Sequence, residues 1–230
     1  TVMIETGCRP MPDFQDFIDL LQDTYRFVAV DVETANRQQG SICQIGLALV
    51  SADNRIDTIG LLIDPEQSFE SFNVRLHGID QEAVAGAATF DMALQVLRPF
   101  LERHILVQHS NFDKHAFDAA CKFNGIPSLG ATWLDSVRIA RRAWPELKGN
   151  GGHGLASLKD HLNLTFNHHD AEEDARAAAM VTLLAEERTG EDFVELAGPK
   201  QKSKRPAIAV DVNQDGPLYG QVACFTGQLA

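Results

Sequence analysis

Three strand-like runs crowd into residues 27 to 64, FVAVDVE at 27–33, SICQIGLALV at 41–50 and RIDTIGLLID at 55–64, with room for little more than turns between them. Polar Ser51-Ala52-Asp53-Asn54 joins the last two at the spacing of a hairpin. Beyond Asp80 the periodicity changes. It is helical through about Glu102, and HILVQH at 104–109 then predicts a buried strand feeding a helix from about Asn111 to Phe123, which Asn124-Gly125 ends. Residues 131–143, 155–162 and 171–187 continue the alternation. Strands paired first by turns and later separated by helices predict an α/β domain on a mixed β-sheet flanked by helices.

The ends of the chain read differently. Residues 13 to 24 place Phe14, Phe17, Ile18 and Leu21 at helical spacing, so residues 1–25 are expected as an N-terminal helical extension ahead of a domain over 26–196. After Leu196 the run AGPKQKSKRP cannot supply a packed face, and 197–215 is read as a linker. The remainder, GPLYGQVACFTGQLA at 216–230, holds one strand-like run, too little for a core.

Composition excludes several classes. The four cysteines, Cys8, Cys43, Cys121 and Cys224, form no C-x-x-C pair, which argues against a zinc knuckle or a disulfide framework and for a reducing cytoplasm. No apolar run nears the roughly 20 residues that span a bilayer, and the first residues lack a signal-peptide layout, so no membrane association is expected. A net charge of −12 speaks against a broad basic surface for duplex nucleic acid. A nucleic-acid substrate would therefore need bound metal to offset part of the repulsion.

The acids that bear on chemistry sit at element ends. Strand alternation puts Phe27, Ala29, Asp31 and Glu33 on one face and Val28, Val30 and Val32 on the other, with the two carboxylates about 7 Å apart along the strand, close enough to share one cation. Asp113 follows the strand HILVQH in the first turn of a helix, on the side of Phe117 and Ala120. In HHDAEEDARAAAM, Asp170 and Glu173 make a D-x-x-E helix start, with His169 just before it and Asp174 on a face with Ala178, Val181 and Ala185. Alone, Asp113 reads as an acid at a helix N-terminus and His169 as a surface or capping histidine; His168 reads as solvent-facing. Together the acids lie where ligands gather in open α/β sheets, and an all-oxygen set selects Mg²⁺ or Mn²⁺ over zinc.

Three segments then carry a resemblance. FVAVDVETA, SNFDKHAF and HHDAEEDA resemble, in order, the three motifs of the DEDDh 3′→5′ exonucleases, the group that includes the epsilon-type proofreading subunits, within the ribonuclease-H-like fold. The match runs over about residues 26 to 187. It implies that Asp31, Glu33, Asp113 and Asp174 bind two divalent ions, Mg²⁺ or Mn²⁺, and that His169 deprotonates the attacking water. Thr34 and Ala35 would lie against the terminal nucleotide and Phe112 would stack on it. The expected substrates are single-stranded or frayed 3′ ends, DNA ahead of RNA. RNA end trimming by the same site and a non-catalytic binding module are the alternatives. The chain departs from the family in having Thr34-Ala35-Asn36 for the common Thr-Thr-Gly, and a second motif one residue tighter. His77, in an H-G-I segment, reads as a turn residue and is left outside the site. The tail from Gly216 resembles the first strand of a BRCT domain, which implies a protein partner met through the rest of that domain.

Overall fold

A computed structural model describes residues 19–149, 152–165 and 168–199. Of the helix expected over 13–24, residues 19 to 22 are described and are helical. The BRCT-like tail and the linker beyond residue 199 lie outside the described residues.

Six strands form one sheet in the order β4-β3-β2-β1-β5-β6. β1 (Phe27–Thr34), β2 (Ile42–Val50) and β3 (Ile56–Asp64) make the antiparallel meander that the early runs predict, with Glu33 facing Gln44 across β1 and β2. β5 (Ile105–Gln108) joins the other edge of β1 in parallel, followed by parallel β6 (Thr132–Asp135). The two-residue β4 (Ala88–Thr89) closes the β3 edge. Seven described helices follow or separate the strands: α1 (Ser71–His77), α2 (Phe90–Glu102), α3 (Phe112–Phe123), α4 (Ser136–Ala143), α5 (Leu155–Leu162), α6 (Ala171–Thr189) and α7 (Phe193–Ala197).

The β1 alternation sorts the core into two layers. Phe27 and Ala29 pack with Ile139, Leu158, Ala178, Val181 and Phe193 from α4 to α7. Val28, Val30 and Val32 pack on the opposite face with Leu94, Leu97, Phe100 and Phe117 from α2 and α3. Burying both faces removes the apolar surface that a sheet strand cannot expose cheaply, at roughly 25 cal/mol per Å². The α/β mixed sheet flanked by helices is thus the architecture observed.

Helix α6 meets the sheet unusually closely. An added Cβ on Gly46 of β2 would stand 1.9 Å from the carbonyl oxygen of Ala171, so only glycine lets the first turn of α6 rest on the strand. The run Ala177-Ala178-Ala179 continues that close approach with small side chains, all buried.

Two expectations need correction. The helical reading from Asp80 holds only from Phe90, because Gly86 adopts a left-handed φ of 84° and residues 81–86 form turns. The segment before it, read as a turn around His77, is helix α1, closed by Gly78 at φ 79° whose N–H bonds the carbonyl of Val74. α1 buries none of its side chains, so it left no periodic apolar signal to detect. No helix among the described residues is long and apolar enough to cross a membrane.

Candidate active site

A cleft of about 340 Å³ opens over the C-terminal end of β1. Asp31, Glu33, Thr34, Phe112, Asp113, His169 and Asp174 all line it, so the tertiary structure brings together every expected site residue but one. The exception is Ala35. Its N–H donates to the carbonyl of Ser41 (2.7 Å), its carbonyl accepts from the N–H of Glu70 (2.8 Å), and its methyl is buried beside Cys43, Ile79 and Val84. Both of its backbone groups are engaged within the fold, away from the cleft lining.

Asp31, Glu33 and Asp174 each present an oxygen within 4.8 Å of the others. Glu33 and Asp174 are almost fully buried, and among the described residues neither the Asp31 nor the Glu33 carboxylate has a hydrogen bond or ion pair. Desolvation raises the Asp31 pKa well above the ordinary range, with the charges of Asp113, Asp174 and Glu33 adding to the shift. Desolvation likewise pushes Glu33 up to about 8, reinforced by Asp174 and Asp113. Like charges in a low-dielectric pocket resist joint ionisation unless a cation enters. An all-oxygen donor set of this kind suits a hard divalent ion.

Asp113 stands slightly apart. Its Oδ1 accepts from the N–H of Val32 at 3.1 Å, which docks the first turn of α3 onto β1 between the two acids of that strand. Burial raises its pKa to about 7, while that bond and its own backbone N–H pull the other way. The acid therefore anchors the helix and remains within reach of the cleft.

The start of α6 is built by its own sequence. Asp170 caps the helix by accepting from the N–H of Glu172 (3.1 Å), as the D-x-x-E pattern predicts. The reciprocal half of the capping box is missing, because Glu173 pairs with Arg176 at 2.9 Å. Gln44 completes the start: its Nε2 donates to Asp170 Oδ1 (3.3 Å) and its Oε1 accepts from the N–H of Ala171 (3.2 Å). Since Gln44 faces Glu33 across the sheet, one side chain ties the helix that bears Asp174 to the strand that bears Asp31 and Glu33.

His169 has a left-handed φ of 71°, and its N–H donates to Asp174 Oδ2 at 2.9 Å. Ser110, which also lines the cleft, has φ 87°. Backbone held in this region by residues other than glycine is costly and concentrates at functional sites. His168 is exposed, as expected, but it also meets the site. Its Nδ1 lies 2.9 and 3.0 Å from the two oxygens of Asp174, and its ring stacks on that of His169 with centroids 4.4 Å apart. A buried carboxylate recruits the nearest donor, and the turn before α6 supplies this imidazole.

Motif reading also missed the residues that hold Thr34. Asn73 donates to its carbonyl (2.8 Å), and so does His77 through Nε2 (3.2 Å). The N–H of Ile79 donates to His77 Nδ1, which fixes the neutral Nε2–H tautomer, and burial lowers the pKa of this ring. The only available signal was the H-G pair that ends a helix. His109, also on the cleft, is pushed down to about 4 by burial and packs between Ser136 and the carbonyl of His153.

The chain is 26% identical over 188 residues to a DNA polymerase III of PolC type from Streptococcus mutans, a match that covers 78% of this chain and 13% of that polymerase. Its fold is similar to that of exonuclease X solved in complex with 5′-overhanging duplex DNA (TM-score 0.56, 22% identity, 74% of this chain and 97% of that one). It is also similar to the nuclease domain of 3′hExo, a DEDDh family member bound to rAMP (TM-score 0.59, 16% identity, 70% and 92%). Both likenesses bear out the ribonuclease-H-like fold. Residues 28–182 match the RNase_T family model, described as exonuclease, and the chain belongs to that exonuclease family.

Proposed function

We propose that the chain is a divalent-metal-dependent 3′→5′ exonuclease that releases nucleoside 5′-monophosphates from DNA 3′ ends. The observation that carries this reading is the convergence of Asp31, Glu33 and Asp174 within 4.8 Å, with the His168 imidazole and the His169 N–H, both on Asp174, as the described partners of the cluster. Asp31, Glu33 and Asp174 would hold the ions, with Asp113 assisting directly or through water. When bound, two ions, Mg²⁺ or Mn²⁺, would neutralise the carboxylates and the phosphodiester and acidify the attacking water.

The chain's own residues do the rest. His169 takes the proton from the water that attacks the last phosphodiester. The bond to the 3′ oxygen of the preceding nucleotide breaks, leaving a shortened strand with a free 3′ hydroxyl. The N–H of His169 on Asp174 fixes the backbone that carries the ring, so base and metal ligand move as one unit. Asn73 and His77 brace Thr34 against the terminal nucleotide, and the exposed ring of Phe112 stacks on its sugar or base. Likeness to a DNA polymerase chain and to a DNA-bound exonuclease favours DNA. Likeness to a nuclease domain bound to rAMP supports RNA as the second reading, with the same residues in the same roles.

Matched 5′-labelled DNA and RNA strands incubated with Mg²⁺, Mn²⁺ or EDTA test the proposal. Stepwise shortening from the 3′ end with monophosphate release, abolished by EDTA, is expected. Shortening from the 5′ end, EDTA-insensitive cleavage or no cleavage with either metal would overturn it.

A further inference from the structure

Building on the exonuclease reading, we propose that the outer face of α1, formed by Phe72 and Arg75, is a second subsite that holds single-stranded nucleic acid 5′ of the nucleotide being released. Helix α1 buries none of its side chains, and side-chain bonds from Asn73 and His77 tie it to the Thr34 carbonyl. It is therefore anchored by polar bonds to the strand that carries Asp31 and Glu33, which frees its apolar residues from any core role. Phe72 is 66% exposed and Leu76 42% exposed.

Helical geometry orders these residues around the axis. At about 100° per residue, Asn73 and His77 share the side turned to Thr34, and Leu76, which lines the cleft, comes next. Phe72 follows about 40° beyond Leu76, and Arg75 about 60° beyond Phe72. A path out of the cleft over α1 thus meets an aliphatic wall, an aromatic ring and a guanidinium in turn.

That sequence of groups selects the ligand. A single strand presents a π-face at every base and a phosphate between bases, and aromatic rings beside cations form sequence-tolerant platforms for it. Among the described residues Arg75 has no hydrogen bond or ion pair. In a chain of net charge −12, a free guanidinium on the helix that borders the cleft is a place where phosphate is attracted. Duplex would need a broad basic face, which this charge balance does not provide.

The test compares two substrates. A p-nitrophenyl ester of thymidine 5′-monophosphate fills only the position of the released nucleotide, whereas oligo-dT of two to eight residues can also reach α1. In the wild type, KM should fall as length rises from two to about four nucleotides. Phe72→Ala should lower the ratio of kcat/KM for dT8 to that for the ester by about tenfold, mainly through KM, and Phe72→Trp should keep it. Arg75→Ala should reduce the slope of log Kd against log salt by about 0.7. A ratio and slope unchanged in both alanine variants would overturn the subsite. If the wild type cleaves neither substrate, the exonuclease reading fails, and binding of fluorescein-labelled dT8 in EDTA decides the subsite alone. An equal Kd for wild type and Phe72→Ala, or no binding by either, would then refute it.

Discussion

Metal-free protein should lose stability as pH rises from 6.5 to 8, and divalent metal should cancel or reverse that loss. The acids Glu33, at about 8, and Asp113, at about 7, keep their protons in the folded chain far above their ordinary values of 4.5 and 3.8. A folded state that binds more protons than the unfolded one becomes less stable with rising pH. The contribution of Glu33 is present in full below pH 4.5 and gone by about pH 8; that of Asp113 is present below pH 3.8 and gone by about pH 7. Burial lowers the pKa of His77, His104 and His109, and these rings act in the opposite direction, an effect that fades as pH rises past their ordinary value of 6.5 and so offsets part of the acids' loss at the start of the window from 6.5 to 8. Across it Glu33 should remove about 2 kcal/mol and Asp113 about 1 kcal/mol, with Asp31 acting in the same direction. For a chain of this size that is a fall in Tm of about 5 to 10 °C. Thermal melts of EDTA-treated protein at half-unit pH intervals, with and without Mn²⁺, provide the assay. Glu33→Gln should flatten the metal-free slope by up to roughly two thirds, its share of the loss assigned to Glu33 and Asp113. A metal-free Tm that stays level or rises across the window would refute the uncompensated acid cluster.

Three further perturbations probe the same site. Asp31→Ala should abolish Mn²⁺-supported hydrolysis while the metal-free Tm holds or rises, because one acid leaves a repulsive group; retained activity or a large loss of Tm would exclude the metal role. His169→Ala should slow single-turnover cleavage by about 10² to 10⁴ with little change in nucleotide Kd, and His168→Ala should do far less; the reverse order would make His168 the base. Gly46→Ala forces a Cβ to within 1.9 Å of the Ala171 carbonyl and should cost about 2 to 3 kcal/mol while weakening Mn²⁺ binding in calorimetry, since Asp174 rides on α6. Gly60→Ala meets only the flexible end of Glu172 and should be milder, so equal effects would show that the helix contact at Gly46 is not rigid.

The amino-acid sequence by itself determined the meander, the β1 alternation that sorts the two core layers, and the elements that carry Asp31, Glu33, Asp113 and Asp174. Each depends on short-range periodicity or a local cap, such as Asp170 accepting from Glu172, which neighbouring residues settle among themselves. Helix α1 escaped because it buries no side chain and so leaves no periodic trace. What tertiary structure decided is who meets whom across the chain. His168 faces solvent as read, yet its ring also meets Asp174, because a buried carboxylate takes whichever donor folding brings near. Ala35 was expected against the terminal nucleotide; the fold pairs its backbone with Ser41 and Glu70 and leaves it off the cleft lining. Gln44 and Glu33 stand eleven positions apart in the chain and become cross-strand neighbours only when β1 and β2 pair, which lets one amide join the helix of Asp174 to the strand of Asp31. No local pattern encodes such bonds, because each depends on the register of the sheet and the depth at which α6 settles onto Gly46.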